Sequence, residues 1–223
     1  MIITILTLFP EMVEPILNSS ILKRAQEKNL VKFQIVNFRD FSTNKHKTVD
    51  DSPYGGGSGM VLSVEPIYYA LESLNNTQHR ILLSPQGKQF DQDVAKRLLQ
   101  EEHIVLICGH YEGFDERVTD FIDEELSLGD FVMTGGEIAA LAITDTIVRM
   151  IPGVLGSKES FEKDSFYDGY LDYPQYTKPR EFKGLRVPDI LLSGDHAKID
   201  EWRKEMQKAK TLKRRPDLLK SKD

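Results

Sequence analysis

Short apolar runs alternate with amphipathic segments along the first two thirds of the chain. Consecutive apolar residues predict buried strands, and such runs occupy residues 2–8, 32–37, 81–83 and 104–108. Apolar residues at helical spacing predict helices over 11–28 and about 91–100. Strands that alternate with helices and end at Gly or Pro turns predict an α/β fold with a mostly parallel sheet. Ligands of such sheets bind outside the carboxyl ends of the strands.

Three further segments complete the predicted order of elements. A helix predicted over about 135–151 is apolar almost all round, which indicates burial in the core or at a dimer interface. Residues 153–180 lack clear periodicity and are predicted to form a linker or an active-site loop. A final helix begins near His196, because Ile199, Trp202 and Met206 follow at helical spacing.

Length, cysteine content and hydropathy exclude several classes of protein. A chain of 223 residues predicts one domain with a modest appendage. The single cysteine, Cys108, excludes a disulfide framework and a CxxC site, and we interpret it as a buried core residue rather than a nucleophile. No apolar run approaches the roughly 18 residues that span a bilayer, and the first twelve residues do not resemble a signal peptide. We therefore expect a cytoplasmic protein without membrane association.

The net charge of −6 conceals a basic end on an acidic chain. Residues 198–223 contain ten Lys or Arg and five Asp or Glu, whereas the other residues contain 19 and 30. Such an asymmetry fits a polyanionic partner that is held at one end of the protein. A solvated terminal helix explains the same pattern, so charge alone leaves both interpretations open.

Three glycine-rich segments are candidates for chemistry. Residues 50–60 contain four glycines in five positions but lack the Gly-Lys-Ser/Thr of a Walker A loop, so a plain flexible loop is the alternative. Residues 108–117 follow a buried strand, and His110 is interpreted as a partly exposed loop histidine. Residues 128–137 turn into the apolar helix, where capping by Thr134 and Glu137 is the alternative. Together the three segments indicate a compact, backbone-rich pocket for a nucleotide-like ligand.

Longer motifs resemble a known family. They are LFPEM (8–12), HKTVDDSPYGGGSGM (46–60), LLSPQGKQFDQ (82–92), LICGHYEGFDERV (106–118), SLGDFVMTGGE (127–137), IPGVLG (151–156), DSFYDGYLDYPQYTKP (164–179) and RRPDLL (214–219). In order and spacing, from residue 1 to about 219, they resemble the bacterial tRNA (guanine-N1)-methyltransferases of the SPOUT superfamily. The motifs are long and unusual, which makes a chance match very improbable.

This resemblance implies a fold, a reaction and partners. The implied reaction transfers a methyl group from S-adenosylmethionine to N1 of guanosine 37, beside the tRNA anticodon, in a homodimer with the active site at the subunit interface. The implied fold is a SPOUT-type parallel sheet with a deep trefoil knot, followed by a small, mainly helical domain. The implied domains are a knotted cofactor domain over 1–156, a linker or active-site loop over 157–170, and a tRNA-binding domain over 171–223. Mg²⁺ dependence is implied too, although no cluster in the sequence has metal-ligand spacing.

The resemblance also assigns binding residues. The implied cofactor-binding residues are Leu83, Ser84, Pro85, Gly87, Gly109, Tyr111, Gly113, Leu128, Gly129, Asp130, Phe131, Val132, Met133, Gly135 and Gly136. The residues expected to orient the guanine or to hold the tRNA are Arg39, His46, Asp50, Gly59, Asp172, Arg203, Arg214 and Arg215. Phosphate contacts by the basic end would make the affinity for tRNA sensitive to salt.

The implied chemistry requires a base and a cation. Guanine N1 keeps its proton at neutral pH, so its methylation needs a general base. Loss of that proton moves negative charge onto O6, which a fixed cation would stabilise. The resemblance gives these roles to Asp164 and Arg149, and it places Glu112 near the cofactor or the guanine. From the residues alone, Asp164 also fits a turn aspartate, and Arg149 also fits a helical ion pair with Asp145.

Three other functions stay open at this point. A SPOUT methyltransferase acting on ribosomal RNA or on another tRNA position is disfavoured by the segment that contains Asp164 and Asp172. A non-catalytic RNA or nucleotide binder would tolerate Asp164→Asn, since it would have no turnover to lose. A Rossmann-type oxidoreductase is disfavoured because the chain lacks a GxGxxG motif with an acidic residue about 20 positions later.

Overall fold

The computed structural model describes residues 1–74, 78–156, 161 and 164–220. The chain divides into two compact units, Met1–Gly156 and Ser157–Asp223, and each is described by itself. The predicted linker, 157–170, falls in part outside the described residues, at 157–160 and 162–163. In the described part of the chain, no helix is both long enough and apolar enough to cross a bilayer.

A five-stranded parallel sheet forms the centre of the first unit. The strands of this unit are β1 (Ile2–Thr7), β2 (Lys32–Asn37), β3 (Asp50–Asp51), β4 (Val61–Leu62), β5 (His79–Gln89), β6 (His103–Cys108) and β7 (Glu124–Ser127). The large sheet has the order β2-β1-β6-β5-β7, and every neighbouring pair of strands is parallel. Strands β3 and β4 form a separate antiparallel pair. The predicted α/β fold with a parallel sheet is confirmed.

The centre of the sheet explains why its strands could be predicted. Every residue of β6 is buried, and so is every residue of β1 except Ile2. Strands that are buried on both faces appear in the sequence as continuous apolar runs. The apolar runs at 2–8 and 104–108 therefore marked β1 and β6 within one or two residues.

The helices of the first unit correct one prediction. They are α1 (Pro10–Leu17), α2 (Ser20–Glu27), α3 (Val64–Ser73), α4 (Gln92–Leu98) and α5 (Glu137–Val148). The single helix predicted over 11–28 is wrong, because the chain breaks between α1 and α2. At the break, the side chains of Asn18 and Ser19 donate hydrogen bonds to the carbonyls of Glu14 and Ile16, at 3.1 and 2.8 Å. Such local side-chain bonds compete with continuation of a helix.

Strand β5 is longer than the predicted strand and contains an interruption. Leu83 and Lys88 both pair with Leu126 of β7, so residues 84–87 leave the ladder and the chain then returns to it. The turn that follows the apolar run is therefore an excursion within one strand rather than its end.

Helix α5 is surrounded by other elements of the first unit. It contacts α1, α2, α4, β1 and β6, which explains why the segment lacks a polar face. Its first residue, Glu137, is fully buried, whereas Ile138 is 56% exposed. Gly136 occupies the N-cap position, and no side chain caps this end of the helix. The alternative that Thr134 serves as the helix cap is therefore wrong.

The second unit contains a short hairpin and one long helix. Its elements are β8 (Glu181–Phe182), β9 (Leu185–Arg186), α6 (His196–Arg214) and α7 (Asp217–Lys220). Helix α6 begins at the predicted residue and buries Ile199 and Thr211. The hydroxyl of Thr211 accepts a hydrogen bond from the backbone N–H of Leu171 at 2.9 Å, and this bond attaches the segment before the hairpin to α6.

Candidate active site

A cavity of about 310 Å³ opens at the carboxyl ends of β6 and β7, beside the excursion in β5. Parallel sheets place their ligand sites at this edge, and the volume falls in the range of about 300 to 1,000 Å³ that is usual for small ligands. Of the fifteen residues predicted to bind a cofactor, thirteen line the cavity: Leu83, Ser84, Pro85, Gly109, Tyr111, Gly113, Leu128, Gly129, Phe131, Val132, Met133, Gly135 and Gly136. Glu112 lines it as well.

The other two predicted cofactor residues lie outside this lining. A Cβ atom on Gly87 would lie 2.5 Å from backbone atoms of Glu125 and Leu126, so glycine at this position allows β5 to approach β7 closely. Asp130 is exposed at the surface. A role of Gly87 and Asp130 in cofactor binding stays a prediction.

The first glycine-rich segment is attached to the loop that follows β6. The backbone N–H of Leu62 donates to the carbonyl of Gly113 at 2.9 Å, and that of Glu112 donates to the carbonyl of Met60 at 3.1 Å. A Cβ atom on Gly59 would overlap the side chain of Glu112, and Gly59 has a positive φ of 82°. A glycine is therefore needed at position 59, because the backbone there lies directly against the carboxylate of Glu112.

The loop before α5 packs tightly against the end of β6. The backbone N–H of Gly136 donates to the carbonyl of Gly109 at 2.9 Å, and His110 and Gly135 form an antiparallel bridge. A Cβ atom on Gly136 would lie 2.8 Å from the Cα atom of Cys108. Gly135 and Gly136 therefore permit the backbone of this loop to approach the backbone at the end of β6, at the wall of the cavity.

A buried polar network lies behind this wall. The hydroxyl of Thr7 donates to Oε1 of Glu137 at 2.6 Å, and Nε2 of His110 lies 2.8 Å from Oε2 of the same carboxylate. The ring of Phe9 packs against His110 with a centroid separation of 4.5 Å. The network thus joins the end of β1, the loop after β6 and the start of α5. Sequence analysis missed the network, although a lone glutamate at the start of an apolar helix was a signal for it.

The charges that line the cavity favour a cationic ligand. Four carboxylates belong to the lining, those of Glu112, Asp115, Glu116 and Glu125, and none of its described residues is Lys or Arg. A hydrogen-bonded ion pair with Arg117, at 2.6 Å, holds the pKa of Asp115 below its usual value. Carboxylates complement a positive charge, whereas a polyphosphate would require cations in the lining.

Cys108 ends β6 beside the cavity but does not serve as a nucleophile. Its side chain is 1% exposed. Burial, together with the carboxylate of Glu137, raises the pKa of its thiol well above the usual value. A thiol that stays protonated is a poor nucleophile, so the interpretation of Cys108 as a buried core residue is confirmed.

The remaining predicted residues of the first unit lie near the glycine-rich segment or at the end of α5. Asp50 pairs with Leu62 in the β3–β4 ladder, and Leu62 in turn contacts the loop after β6. Arg39 donates from Nη1 to the carbonyl of Lys47 at 3.1 Å, and His46 is exposed in the same loop. Arg149 follows the last residue of α5 directly.

The second unit contains five of the predicted residues. The backbone N–H of Asp172 donates to the hydroxyl of Ser165 at 2.9 Å, next to Asp164. The guanidinium of Arg203 lies 5.0 Å from the ring centroid of Tyr173. Arg215 pairs with Asp217 at 2.6 Å and lies 5.7 Å from the ring centroid of Phe166. Arg214 is exposed in the last turn of α6.

One atom of this second group is poised to accept a hydrogen bond. Oδ1 of Asp172 is buried and has no hydrogen-bond partner among the described residues. Its other oxygen, Oδ2, accepts from the side chain of Gln175 at 3.3 Å. A buried polar atom without a partner is unfavourable, so Asp172 is suited to receive a donor from a ligand.

Comparison with known proteins gives the class and then the family. The parallel sheet with a backbone-rich cavity at its strand ends defines the class of the first unit as an α/β fold. The family model described as tRNA (Guanine-1)-methyltransferase TrmD matches residues 1–221. The chain therefore belongs to the tRNA (guanine-1)-methyltransferase family, and the family predicted from the sequence is confirmed.

Curated relatives agree with the family model. The tRNA (guanine-N(1)-)-methyltransferase of Staphylococcus carnosus is 57% identical over 217 residues, which cover 96% of this chain and 89% of the relative. Proteins of the same name from Staphylococcus epidermidis and Staphylococcus aureus are 55% and 57% identical, with the same coverage of both chains.

Proposed function

We propose that this protein transfers the methyl group of S-adenosylmethionine to N1 of guanosine 37 in tRNA. Membership of the family is the observation that carries the proposal, because the curated relatives are named for methylation of guanine N1 in tRNA. The cavity in the first unit supports the choice of methyl donor. When bound, S-adenosylmethionine supplies an electrophilic methyl group on a positively charged sulfur.

The residues of the cavity fit this methyl donor. Its carboxylates complement the sulfonium charge, and among the described lining residues there is no Lys or Arg of the kind that a dinucleotide or nucleoside triphosphate would require. The glycines at 109, 135 and 136 let backbone line the cavity, and the N–H and C=O groups of this bend that are not used in the bond from Gly136 to Gly109 can recognise an adenine edge. We propose that Leu83, Gly109, Tyr111 and Gly135 hold the adenosine portion, with Glu112 near the reacting centre.

We propose that Asp164 and Arg149 carry the acid–base chemistry. In the proposed mechanism, the carboxylate of Asp164 accepts the proton of guanine N1 as the new N1–C bond forms and the C–S bond breaks. Arg149 stabilises the negative charge that develops on O6. The free acceptor on Asp172 supports a role in orienting the guanine through one of its N–H donors.

We propose that the second unit and the loop around Asp50 hold the tRNA. Arg39, His46, Asp50 and Gly59 would orient the target nucleotide, and Arg203, Arg214 and Arg215 would contact phosphates. The excess of basic residues after residue 198 supports this assignment. In these terms the cofactor domain covers 1–156, the linker covers 157–170 and the tRNA-binding domain covers 171–223. A tRNA substrate would place the enzyme in the cytoplasm.

We further propose a trefoil knot and a homodimer. The knot is supported by membership of the family, and residues 128–136 line one cavity together with the loop after β6 and the excursion in β5 before the chain enters α5. The dimer is supported by exposed apolar side chains on two helices that contact each other: Met12 and Ile16 on α1, and Ile138 on α5, are 39%, 48% and 56% exposed. A patch of this kind fits a second copy of the chain.

Dependence on Mg²⁺ stays a prediction from the family. In the described ranges, no group of three or more His, Cys, Asp or Glu side chains is arranged to hold a metal ion. The oxygens of Asp164 and Asp172 have the chemistry that Mg²⁺ prefers, and either would serve it in a complex with tRNA phosphates.

The proposed function is tested by identifying the methylated nucleoside. The protein is incubated with a tRNA transcript that carries G37 and with S-adenosylmethionine labelled in the methyl group, and the product is digested to nucleosides. We expect the label in 1-methylguanosine. Label in another nucleoside, or 1-methylguanosine formed equally in a transcript that carries A37, would contradict the assigned target.

A further inference from the structure

A two-residue hairpin in the second unit presents an apolar face that the proposed function leaves unused. Strands β8 and β9 pair Glu181 with Arg186 and Phe182 with Leu185. The connecting residues, Lys183 and Gly184, have positive φ values of 51° and 80°. This conformation belongs to the tight turn whose twist matches that of the flanking strands, so the hairpin holds its side chains in a defined arrangement.

The two faces of the hairpin differ in chemistry. Directly opposed residues of an antiparallel pair point to the same face, so Phe182 and Leu185 share one face. Their side chains are 60% and 75% exposed. On the opposite face, Arg186 lies 3.5 Å from Glu181. The apolar pair is therefore displayed at the surface of its unit, while the polar pair is satisfied within the hairpin.

The charge around the apolar pair indicates what covers it. Residues 176–187 contain four Lys or Arg and one Glu, in a chain that is acidic overall. Nζ of Lys183 lies 5.6 Å from the ring centroid of Phe182. Arg180 directly precedes β8, and its carbonyl accepts a hydrogen bond from the backbone N–H of Val187 at 2.9 Å, which attaches this second basic residue to the hairpin. An exposed aromatic ring with basic residues close to it in the chain complements a nucleobase with its phosphates.

We propose that the hairpin formed by residues 180–187 is an RNA-binding element of its own, in which the Phe182 ring stacks on an unpaired base. Lys183 and Arg180 contact the phosphates on either side of that base. The inference rests on the proposed tRNA substrate and adds a contact outside the residues assigned above. Leu185 widens the apolar surface against which the base lies.

Four variants of Phe182 separate stacking from other uses of this surface. Binding of a G37 tRNA transcript is measured at equilibrium, with S-adenosylhomocysteine present, for the wild type and for Phe182→Ala, Phe182→Leu, Phe182→Trp and Phe182→Tyr. Stacking on an aromatic side chain contributes enough that its loss should raise the Kd for tRNA roughly tenfold. We expect that loss in the Ala and Leu variants and near wild-type affinity in the Trp and Tyr variants. The substitution Arg180→Ala should reduce the slope of log K against log salt by about one.

Three results would overturn the proposal. The first is an unchanged Kd in Phe182→Ala, and the second is full affinity in Phe182→Leu, which would indicate an apolar contact without stacking. The third is dissociation of a dimer in Phe182→Ala, measured by sedimentation, which would assign the face to a second copy of the chain.

Leu192→Ala, at another partly exposed apolar residue of the same unit, is the matched control for tRNA binding. Methylation of tRNA by the wild type tests the proposed function. The ratio of the Kd for tRNA of each Phe182 variant to that of the wild type tests the hairpin, so either proposal can be contradicted while the other holds.

Discussion

The imidazole of His110 lies 2.8 Å from the fully buried carboxylate of Glu137, 27 residues further along the chain. His110 belongs to the loop after β6, and Glu137 is the first residue of α5. The loops on either side of this pair form two walls of the cavity. The hydrogen bond of Thr7 to the second oxygen of Glu137 connects the pair to β1, a neighbour of the central strand of the sheet. A ligand site made mainly of backbone thus depends on a buried polar network behind it.

The hydroxyl of Thr7 can be tested with two substitutions. Thr7→Val keeps the shape of the side chain but leaves a buried carboxylate oxygen without its donor, which should lower the free energy of unfolding by about 1–3 kcal/mol. The same change should weaken binding of S-adenosylhomocysteine, because the two loops lose a common anchor. Thr7→Ser keeps the hydroxyl and is expected to retain both properties. Urea unfolding and calorimetric titration measure the two quantities, and equal behaviour of the Val and Ser variants would contradict the role of the hydroxyl.

The close approach of Gly136 to β6 makes a second prediction. In Gly136→Ala the new methyl group would lie 2.8 Å from the Cα atom of Cys108, so backbone must move at the wall of the cavity. Overpacking of this kind typically costs about 1–3 kcal/mol, and we expect the Kd for S-adenosylmethionine to rise roughly tenfold.

Gly156→Ala is the matched control for that experiment. A Cβ atom on Gly156 meets nothing within 4 Å, and its φ does not lie in the left-handed region. The control should bind S-adenosylmethionine as the wild type does. If Gly136→Ala also bound it with unchanged affinity, the loop before α5 would not form part of the cofactor site.

Several elements could be predicted from the sequence because their signal is local. The apolar runs of β1 and β6 report burial on both faces, and the glycines at 109, 135 and 136 report close approach of backbone. The position of Glu137 indicated a buried carboxylate, but its partner Thr7 could not be predicted, because the two are separated by 130 residues and meet only through the fold.

Other differences arise where local chemistry overrides a pattern. The apolar periodicity continues from α1 into α2, so it conceals the break that the side chains of Asn18 and Ser19 stabilise. The excursion of residues 84–87 depends on the pairing of β5 with β7 on both sides of it, which a single apolar run does not reveal. Helix α3 was not predicted at all, although it contributes Ile67, Ala70 and Leu71 to the core.

The ion pairs of Glu124 predict how stability changes with pH. Partial burial opposes the charge of Glu124, but hydrogen bonds from Arg97 and His79, both at 2.6 Å, outweigh it, and the pKa of Glu124 lies below its usual value. A pKa that is lower in the folded state stabilises the fold above the unfolded-state pKa of about 4.3. That contribution is lost as the pH falls through the lower pKa of the folded state.

Glu124→Gln checks this prediction. At neutral pH the variant should have a lower free energy of unfolding than the wild type. The difference should shrink as the pH falls below about 4.3, where the wild-type carboxylate becomes protonated. Chemical unfolding of both proteins at a series of pH values measures it. A difference that stays constant down to pH values far below the usual glutamate pKa would show that the charge of Glu124 does not contribute.

The most direct measurement compares methyl transfer to two tRNA transcripts by two enzymes. Transcripts with G37 and A37 are each incubated with labelled S-adenosylmethionine and either the wild type or Asp164→Asn, which keeps the shape of the side chain without its basicity. We predict label only on G37 and a rate about 10²- to 10⁴-fold lower for Asp164→Asn, with binding of S-adenosylhomocysteine unchanged. Equal labelling of A37, or a full rate for Asp164→Asn, would contradict the assigned target or the assigned base.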